Sequence, residues 1–321
     1  MSKEIINNGK EVIDLQIKAL KKLKNSINSS FKDAVNAISK CRSKVILCGV
    51  GKSGKIASKI SATLSSVGTP SFVISANECS HGDLGRLSSD DILIIISNSG
   101  NTQELKDLIK FSKINKILLI GIVTNEKSIL YKSSNIKIIL PNVEEAGYGI
   151  VPTSSTTAQL ALGDALSIAL MNKKKFNKLD FKKFHPAGSL GHKLKTAADV
   201  MLIKNKIPFV NENLDMKNSL KILNKKKLGF LVIINDRGLN TGIFTDGDLK
   251  RIMQANKFRS DFKIKKFMIK NPYMVEKNML VLDILHQMNK RKITNVCVYS
   301  KENKKKIIGV IHIHNVLKIV K

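Results

Sequence analysis

One stretch decides the fold of this 321-residue chain: Asp91-Ile-Leu-Ile-Ile-Ile-Ser97-Asn-Ser99-Gly100-Asn-Thr102-Gln-Glu104. Its five consecutive apolar residues, Ile92 to Ile96, are typical of a strand buried on both faces of a parallel sheet. Three hydroxyl side chains follow within six residues, and then an apolar helical pattern begins. Free N–H groups at a helix start favour an anion. A helix cap with turn residues would explain one such hydroxyl, but three of them favour a bound phosphate monoester.

Strands alternate with helices on both sides of this stretch. Apolar runs predict five strands, at residues 44–49, 70–75, 91–97, 116–124 and 136–140. Helical spacing predicts helices at residues 55–66, 102–112 and 154–171. This alternation predicts an α/β fold with a doubly wound, five-stranded parallel sheet. Ligands of such sheets bind at the carboxyl ends of the strands, where the hydroxyl stretch and a glycine loop at 49–54 both lie.

The chain on either side of the sheet has its own organisation. Apolar residues keep a helical period over residues 4–40, so we expect N-terminal helices that pack on the next domain or on another subunit. A basic linker precedes an internal repeat, in which Met201 matches Met268 and Gly242 matches Gly309, both 67 residues apart. Each repeat has the pattern βαββα. We therefore predict domains at 1–40, 41–195, 196–258 and 264–321.

Composition excludes several classes of protein. The net charge of +30 suggests nucleic acid, but only six of the 55 basic residues are Arg, aromatic residues are 5% and Trp is absent, so we expect no nucleic-acid partner. No apolar run reaches the roughly 18 residues of a membrane span. The N-terminus does not resemble a signal peptide. The four cysteines show no metal-ligand spacing, which favours a reducing cytoplasm.

The glycine loop, Gly49-Val-Gly-Lys52-Ser53-Gly54, matches a dinucleotide-binding pattern. However, the second strand ends at Ser75, where such a site requires an acidic residue. A P-loop would need a glycine at Ile46. Both nucleotide-binding interpretations are therefore weakened. The interpretation of the protein as a nucleotide-dependent oxidoreductase is weakened for the same reason. What remains is a glycine turn that exposes Lys52 and Ser53 at the sheet edge, facing the hydroxyl stretch.

A family resemblance follows from motifs in a fixed order: GVGKSG, PSFV, HGDLG, ISNSG, PTSSTT, GDAL, HPAGSLG and GIFTDGDLKR. The chain resembles bacterial D-arabinose-5-phosphate isomerases over roughly residues 10–321. The resemblance implies a sugar isomerase (SIS) domain followed by a tandem pair of CBS domains. It also implies a homotetramer without a cofactor, which interconverts D-ribulose 5-phosphate and D-arabinose 5-phosphate through an enediolate and so supplies Kdo for lipopolysaccharide. A sugar-phosphate-sensing regulator is the alternative, although residues 1–40 show no helix-turn-helix pattern.

The resemblance also implies site residues. Its catalytic positions fall on Lys52, Glu104, Glu145 and His185, with Glu144 as the rival for Glu145. Its substrate-binding positions fall on Ser53, Gly68, Thr69, His81, Ser97, Ser99 and Thr102. Some relatives carry a zinc-linked His where this chain has Ser75, so no metal site is expected.

The sequence of the CBS pair gives a weaker indication of a ligand-binding site. The first repeat keeps the pattern G-h-x-T-x-x-D that often holds adenosine ligands, with Thr245 and Asp248, while the second has His312 and Asn315 in their places. We therefore expect at most one good nucleotide site, formed by Thr245 and Asp248. A turn that merely caps the last helix is the plain alternative, and a sugar nucleotide bound nearer the isomerase site is another. His312 and His314 are expected on opposite sides of the chain and not as metal ligands.

Overall fold

The structure is a computed structural model that describes residues 2–185 and 194–320. The chain divides into two compact units, Met1–Phe184 and His185–Lys321. In the described ranges no helix is both long and apolar enough to cross a lipid bilayer.

The first unit is built on a five-stranded parallel sheet of order β2-β1-β3-β4-β5. Its strands are β1 (Val45–Gly49), β2 (Ser71–Val73), β3 (Ile92–Ile96), β4 (Leu118–Val123) and β5 (Ile136–Ile139). The predicted fold class is confirmed, and each strand is slightly shorter than its apolar run. The chain order reverses between β1 and β3, and the carboxyl ends of these two strands meet at the switch point where such folds bind ligands.

Strand β3 is central because it is apolar on both faces. All five of its side chains are buried. Ile92, Ile94 and Ile96 belong to a core that contains residues of the helices on one side of the sheet. Leu93 and Ile95 belong to the core on the other side. Alternating side chains thus fill two hydrophobic layers, as expected for a strand covered by helices on both faces.

Helices cover this sheet. They are α1 (Ser2–Ser26), α2 (Ser29–Lys40), α3 (Lys52–Ser66), α4 (Ala76–Cys79), α5 (Lys106–Ile114), α6 (Ile129–Ser133), α7 (Ser154–Lys173) and α8 (Lys178–Phe184). Helices α1 and α2 both contact α7. Helix α3 begins three residues earlier than predicted, so Lys52 is its first residue. Helix α5 begins four residues later than predicted, at Lys106, after a 3-10 turn over Gln103–Leu105.

The second unit contains the predicted βαββα repeat twice. The first copy has β6 (Phe209–Asn211), α10 (Met216–Lys226), β7 (Phe230–Ile234), β8 (Asn240–Thr245) and α11 (Asp246–Gln254), preceded by α9 (Ala197–Val200). The second copy has β10 (Met274–Glu276), α12 (Val281–Arg291), β11 (Asn295–Ser300), β12 (Asn303–His312) and α13 (Ile313–Val320), preceded by β9 (Ile269–Lys270).

The two copies exchange their leading segments. Strand β9, which precedes the second copy, pairs with β8 of the first. In return, Thr196 and Leu202, which precede the first copy, form bridges to Leu280 and Val310 of the second. Because each sheet is completed by a segment from the other repeat, the two repeats form one folding module.

Candidate functional site

Two adjoining cavities lie at the carboxyl ends of β1 and β3. The main cavity has a volume of about 410 Å³ and is lined by Val50, Lys52, Ser53, Asn98, Glu145, Gly149, Ile150, Pro152, Ser155, Thr156 and Gln159. The hydroxyl cavity has a volume of about 270 Å³ and is lined by Val50, Ser53, Ile96, Ser97, Asn98, Ser99 and Thr102. Val50, Ser53 and Asn98 line both, so one ligand can extend from one cavity into the other.

The glycine loop brings α3 directly against the end of β1. A Cβ on Gly54 would lie 2.7 Å from the carbonyl oxygen of Gly49, and Gly51 has a φ of +59° immediately before the helix. Only glycine fits these positions without strain. The tight turn places Lys52 and Ser53, the first two residues of α3, on the cavity wall. Lys52 is exposed, as predicted, whereas Ser53 is half-buried, and of the two only Ser53 also lines the hydroxyl cavity.

All three hydroxyl residues of the predicted phosphate loop line the hydroxyl cavity. The Oγ atom of Ser97 lies 2.9 Å from Oγ1 of Thr102 and accepts a hydrogen bond from the N–H of Gly100 at 3.0 Å. Ser97 is buried, whereas Ser99 is exposed. The loop itself presents the hydroxyls, since α5 does not begin until Lys106. The helical segment after the loop opens with a 3-10 turn whose N-cap is Thr102, and anion binding at this helix start stays a prediction.

Glu145 closes the N-terminal end of α7. Its Oε2 atom accepts hydrogen bonds from the N–H groups of Thr153 and Ser154, both at 2.8 Å, and its carboxylate also receives the N–H of Ser155 at 3.3 Å. Burial acts to raise the pKa of Glu145, but hydrogen bonds from Ser155 and Thr153 outweigh it and hold the pKa below its ordinary value. Glu144 is exposed and lines neither cavity.

Three other predicted residues are not among those that line the two cavities. Glu104 lies in the 3-10 turn directly after the hydroxyl loop, and its side chain is exposed. His81 is exposed in the turn after α4. His185 is the first residue of the second unit. The rest of its HPAGSLG motif lies outside the described residues.

The structure does not bring Gly68 and Thr69 to the cavities. Both residues precede β2, at the amino ends of the parallel strands, whereas the cavities lie at the carboxyl ends. Thr69 is buried, and its hydroxyl accepts a hydrogen bond from Nζ of Lys174 at 2.9 Å, while the ring of Phe176 packs over Gly68. Within one chain these two positions line neither cavity, because they lie at the other end of the sheet, and substrate contact there stays a prediction.

Sequence reasoning missed several residues of the main cavity. The hydroxyl cluster at the start of α7 was visible in the sequence, and Ser155 and Thr156 from that cluster line the cavity. Gln159 was missed entirely. Its signal is an amide between the apolar residues Ala158 and Leu160, at the spacing that places it one turn beyond Ser155.

In the second unit, Thr245 and Asp248 form a capping box at the start of α11. The Oδ2 atom of Asp248 accepts hydrogen bonds from the N–H and hydroxyl of Thr245 at 2.8 and 2.7 Å, and its Oδ1 atom pairs with Arg251. Asn315 takes the same place in the second repeat, accepting the N–H of His312 at 3.3 Å. The capping role that the sequence left open is thus present in both repeats.

The expectation that His312 and His314 lie on opposite sides of the chain is wrong. Strand β12 ends at His312 and α13 begins at the next residue, which turns the two rings to the same side with centroids 4.8 Å apart. Over residues 2–185 and 194–320, no cluster of three or more His, Cys, Asp or Glu side chains could hold a metal ion.

Comparisons with known proteins agree on the architecture. The SIS domain family matches residues 37–169, and the CBS domain family matches residues 197–255 and 264–321. The chain is 40% identical to the arabinose 5-phosphate isomerase KdsD of Francisella tularensis over 319 residues, which cover 98% of this chain and 97% of that protein. It is 39% identical to KdsD of Yersinia pestis over 97% of this chain and 94% of that protein.

Two solved structures each match more than half of the chain. An Escherichia coli CFT073 protein in complex with arabinose 5-phosphate is 37% identical, with a TM-score of 0.56, and the match covers 58% of this chain and all of that one (100%). A putative sugar-phosphate isomerase from Listeria monocytogenes is 29% identical, with a TM-score of 0.57, over 58% of this chain and 99% of that one.

Proposed function

Since the chain belongs to the arabinose 5-phosphate isomerase family, we propose that it interconverts D-ribulose 5-phosphate and D-arabinose 5-phosphate. The aldose product supplies the synthesis of Kdo for lipopolysaccharide. The observation that best supports this activity is the pair of adjoining cavities, one lined by hydroxyls and one carrying Lys52. Together they accommodate a phosphate and an attached sugar chain. The isomerisation itself is an internal proton transfer, so its chemistry requires no redox cofactor.

The phosphate is held in the hydroxyl cavity by neutral donors. Ser97, Ser99 and Thr102 provide hydroxyls, and Ser53 approaches from α3. Hydroxyl donors bind a dianionic monoester without adding fixed positive charge, so the product can be released. Binding energy at this remote group orients the reacting carbons.

The chemistry then takes place on C1 and C2 of the open-chain sugar. A base removes a proton from C1 of the ketose, the resulting enediolate carries negative charge on oxygen, and the proton returns to C2 to give the aldose. We assign the base to Glu104, and we assign stabilisation of the oxyanion to the ammonium of Lys52. We propose that His185 transfers protons between the sugar oxygens and that His81 contacts the substrate.

Glu145 has a different role in this proposal. Its carboxylate is already engaged by three N–H groups, from the N-cap residue Thr153 and the first two residues of α7, and its lowered pKa makes it a poor proton acceptor near neutral pH. We propose that it holds the first turn of α7 against the main cavity and so positions Ser155 and Thr156.

A direct assay tests the proposed activity. Purified protein is incubated with D-ribulose 5-phosphate without any added cofactor, and aldose formation is followed by chromatography. We expect D-arabinose 5-phosphate to appear until equilibrium is reached. A regulator that only senses phosphosugars would bind the ketose without forming any aldose, which would reject the enzymatic proposal.

The hydroxyl loop gives the first prediction. Replacing Ser99 with Ala removes one exposed donor without disturbing the buried Ser97–Thr102 contact. We expect KM for ribulose 5-phosphate to rise about tenfold, from the loss of a hydrogen bond to a charged group of ~1.5 kcal/mol. Steady-state kinetics provide the measurement, and Ser58→Ala on the outer part of α3 is the control. An unchanged KM would show that the phosphate lies elsewhere.

The capping box gives a prediction for regulation. We propose that the CBS pair takes at most one adenosine nucleotide per chain, with Thr245 and Asp248 at its ribose or phosphate. Asp248→Asn copies the second repeat and keeps an acceptor for the cap, but an amide has one accepting oxygen where a carboxylate has two. We expect calorimetric titration of the full chain with AMP, ADP and ATP to show affinity weakened about tenfold or more, and no change with Asn315→Ala. Two equivalent sites, or unchanged binding in Asp248→Asn, would contradict the assignment.

We further propose a homotetramer in the cytoplasm. The four cysteines carry free thiols, which fits a reducing compartment. Helix α1 exposes a row of large apolar side chains that a second copy could cover: Ile5, Ile6, Ile13, Ile17 and Leu20.

A further inference from the structure

Gln159 combines two properties that rarely occur together. It lies on the second turn of α7 and is 1% exposed, and its Oε1 atom has no hydrogen-bond partner among the described residues. The same side chain lines the main cavity. A buried amide oxygen without a partner is costly, and native proteins seldom retain one without a reason.

The surroundings fix the amide at the cavity wall. Ser155, one turn before it on the same face of α7, also lines the cavity. Gly163, one turn after it, is covered by the side chain of Ile60 from the hydrophobic core. The apolar core therefore offers the amide no polar partner on that side. A ligand in the cavity can supply one on the other side.

Ser154 shows that an orphaned buried group is not enough by itself. Its Oγ atom is also buried without a partner among the described residues, but Ser154 lines neither cavity. Gln159 is therefore distinguished by its place on the cavity wall, and Ser154 provides a matched control from the same helix.

The position of Gln159 indicates which part of a ligand it meets. It lines the main cavity but not the hydroxyl cavity, so it lies on the side away from the proposed phosphate site. In an open-chain pentose 5-phosphate, the end away from the phosphate carries C1 and C2, the carbons that react. Their oxygens alternate between hydroxyl and carbonyl during isomerisation. An amide offers both an acceptor and donors, so it can pair with either form without titrating.

We propose that the terminal amide of Gln159 hydrogen-bonds the oxygens on C1 and C2 of the open-chain substrate. This inference rests on the proposed isomerase activity and adds a residue to its site. The amide binds the reacting end, while the hydroxyl loop binds the phosphate. The two contacts together hold the chain extended across both cavities.

The test replaces Gln159 with Met, which is similar in length and has no amide. We expect kcat/KM for ribulose 5-phosphate to fall about tenfold or more. Competitive inhibition by inorganic phosphate should be unchanged, because phosphate needs only the hydroxyl cavity. The melting temperature should be equal or higher, since the orphaned polar group is gone. In Ser154→Ala we expect unchanged kcat/KM.

Each other outcome overturns the proposal. If Gln159→Met keeps full kcat/KM, the amide does not contact the substrate. If phosphate inhibition weakens in parallel with kcat/KM, the substitution has disturbed the whole site. Gln159→Leu repeats the test with a second apolar side chain in case the Met variant folds poorly. If the wild-type protein forms no aldose, the proposed function fails first, and that failure is distinguished from a variant-specific loss.

Discussion

The Glu104→Gln variant is expected to lose at least ~100-fold in kcat, because Gln keeps the size of the side chain but cannot accept a proton from C1. Glu104 is exposed in the 3-10 turn that follows Thr102, and no packed contact depends on its charge among the residues described here. The melting temperature of the Glu104→Gln variant should therefore match that of the wild type. Steady-state kinetics with ribulose 5-phosphate in both reaction directions measure the effect.

A control variant and a second measurement make this test specific to Glu104. Glu11→Gln removes another exposed carboxylate, on α1, and lines neither cavity, so its kcat should be unchanged. Exchange of the C1 proton with deuterated solvent should disappear in Glu104→Gln together with turnover. Persistent exchange at the wild-type rate would show that another group removes the proton and would reject Glu104 as the base.

The sheet could be predicted from sequence because its signal is local and redundant. The run Ile92–Ile96 has no polar residue at all, which is compatible only with burial on both faces, and the structure buries every one of these side chains. The repeat in the second unit was visible in the same way, from matching motifs. The turn at residues 49–54 was also predictable, since three glycines in six residues indicate a tight turn that other residues form only with strain.

Other features of the site depend on distant contacts and could not be predicted. Gly68 and Thr69 were assigned by resemblance, but their place before β2 puts them at the far end of the sheet in one chain. Gln159 is defined by what surrounds it, an apolar core and a cavity, and neither is apparent from its neighbours in sequence. The start of α5 was missed because Thr102 has an extended ψ of 124°, which an apolar periodicity does not reveal.

The role of Glu145 also required the structure. Ala146 and Val151 form an antiparallel bridge, and this reversal carries the carboxylate back onto the start of α7. Spacing alone could not separate Glu145 from Glu144, because Glu144 keeps the spacing of the family pattern whereas Glu145 requires a one-residue deletion. The geometry separates them, since only Glu145 contacts the helix and lines the main cavity.

Replacing Glu145 with Ala should lower the free energy of unfolding by about 2–3 kcal/mol, because N–H groups of Thr153, Ser154 and Ser155 lose a charged acceptor. The first turn of α7 should then loosen, and kcat/KM should fall at least ~100-fold, since that turn forms one wall of the main cavity. Urea denaturation and steady-state kinetics measure the two effects. Glu144→Ala should stay within about 0.5 kcal/mol of the wild type and keep its activity, because its side chain is exposed.

The pH dependence of stability provides an independent check on the same carboxylate. The pKa of Glu145 is lower in the folded protein than its ordinary value, so its stabilisation is complete above the ordinary pKa of about 4.3 for Glu. It is lost as the pH falls through the lowered value, because the carboxyl then binds a proton. The difference in unfolding free energy between the wild type and Glu145→Gln should therefore be largest near neutral pH and shrink as the pH falls below about 4. A difference that stays constant with pH, or a loss of activity in Glu144→Ala alone, would mean that the other glutamate occupies the cap.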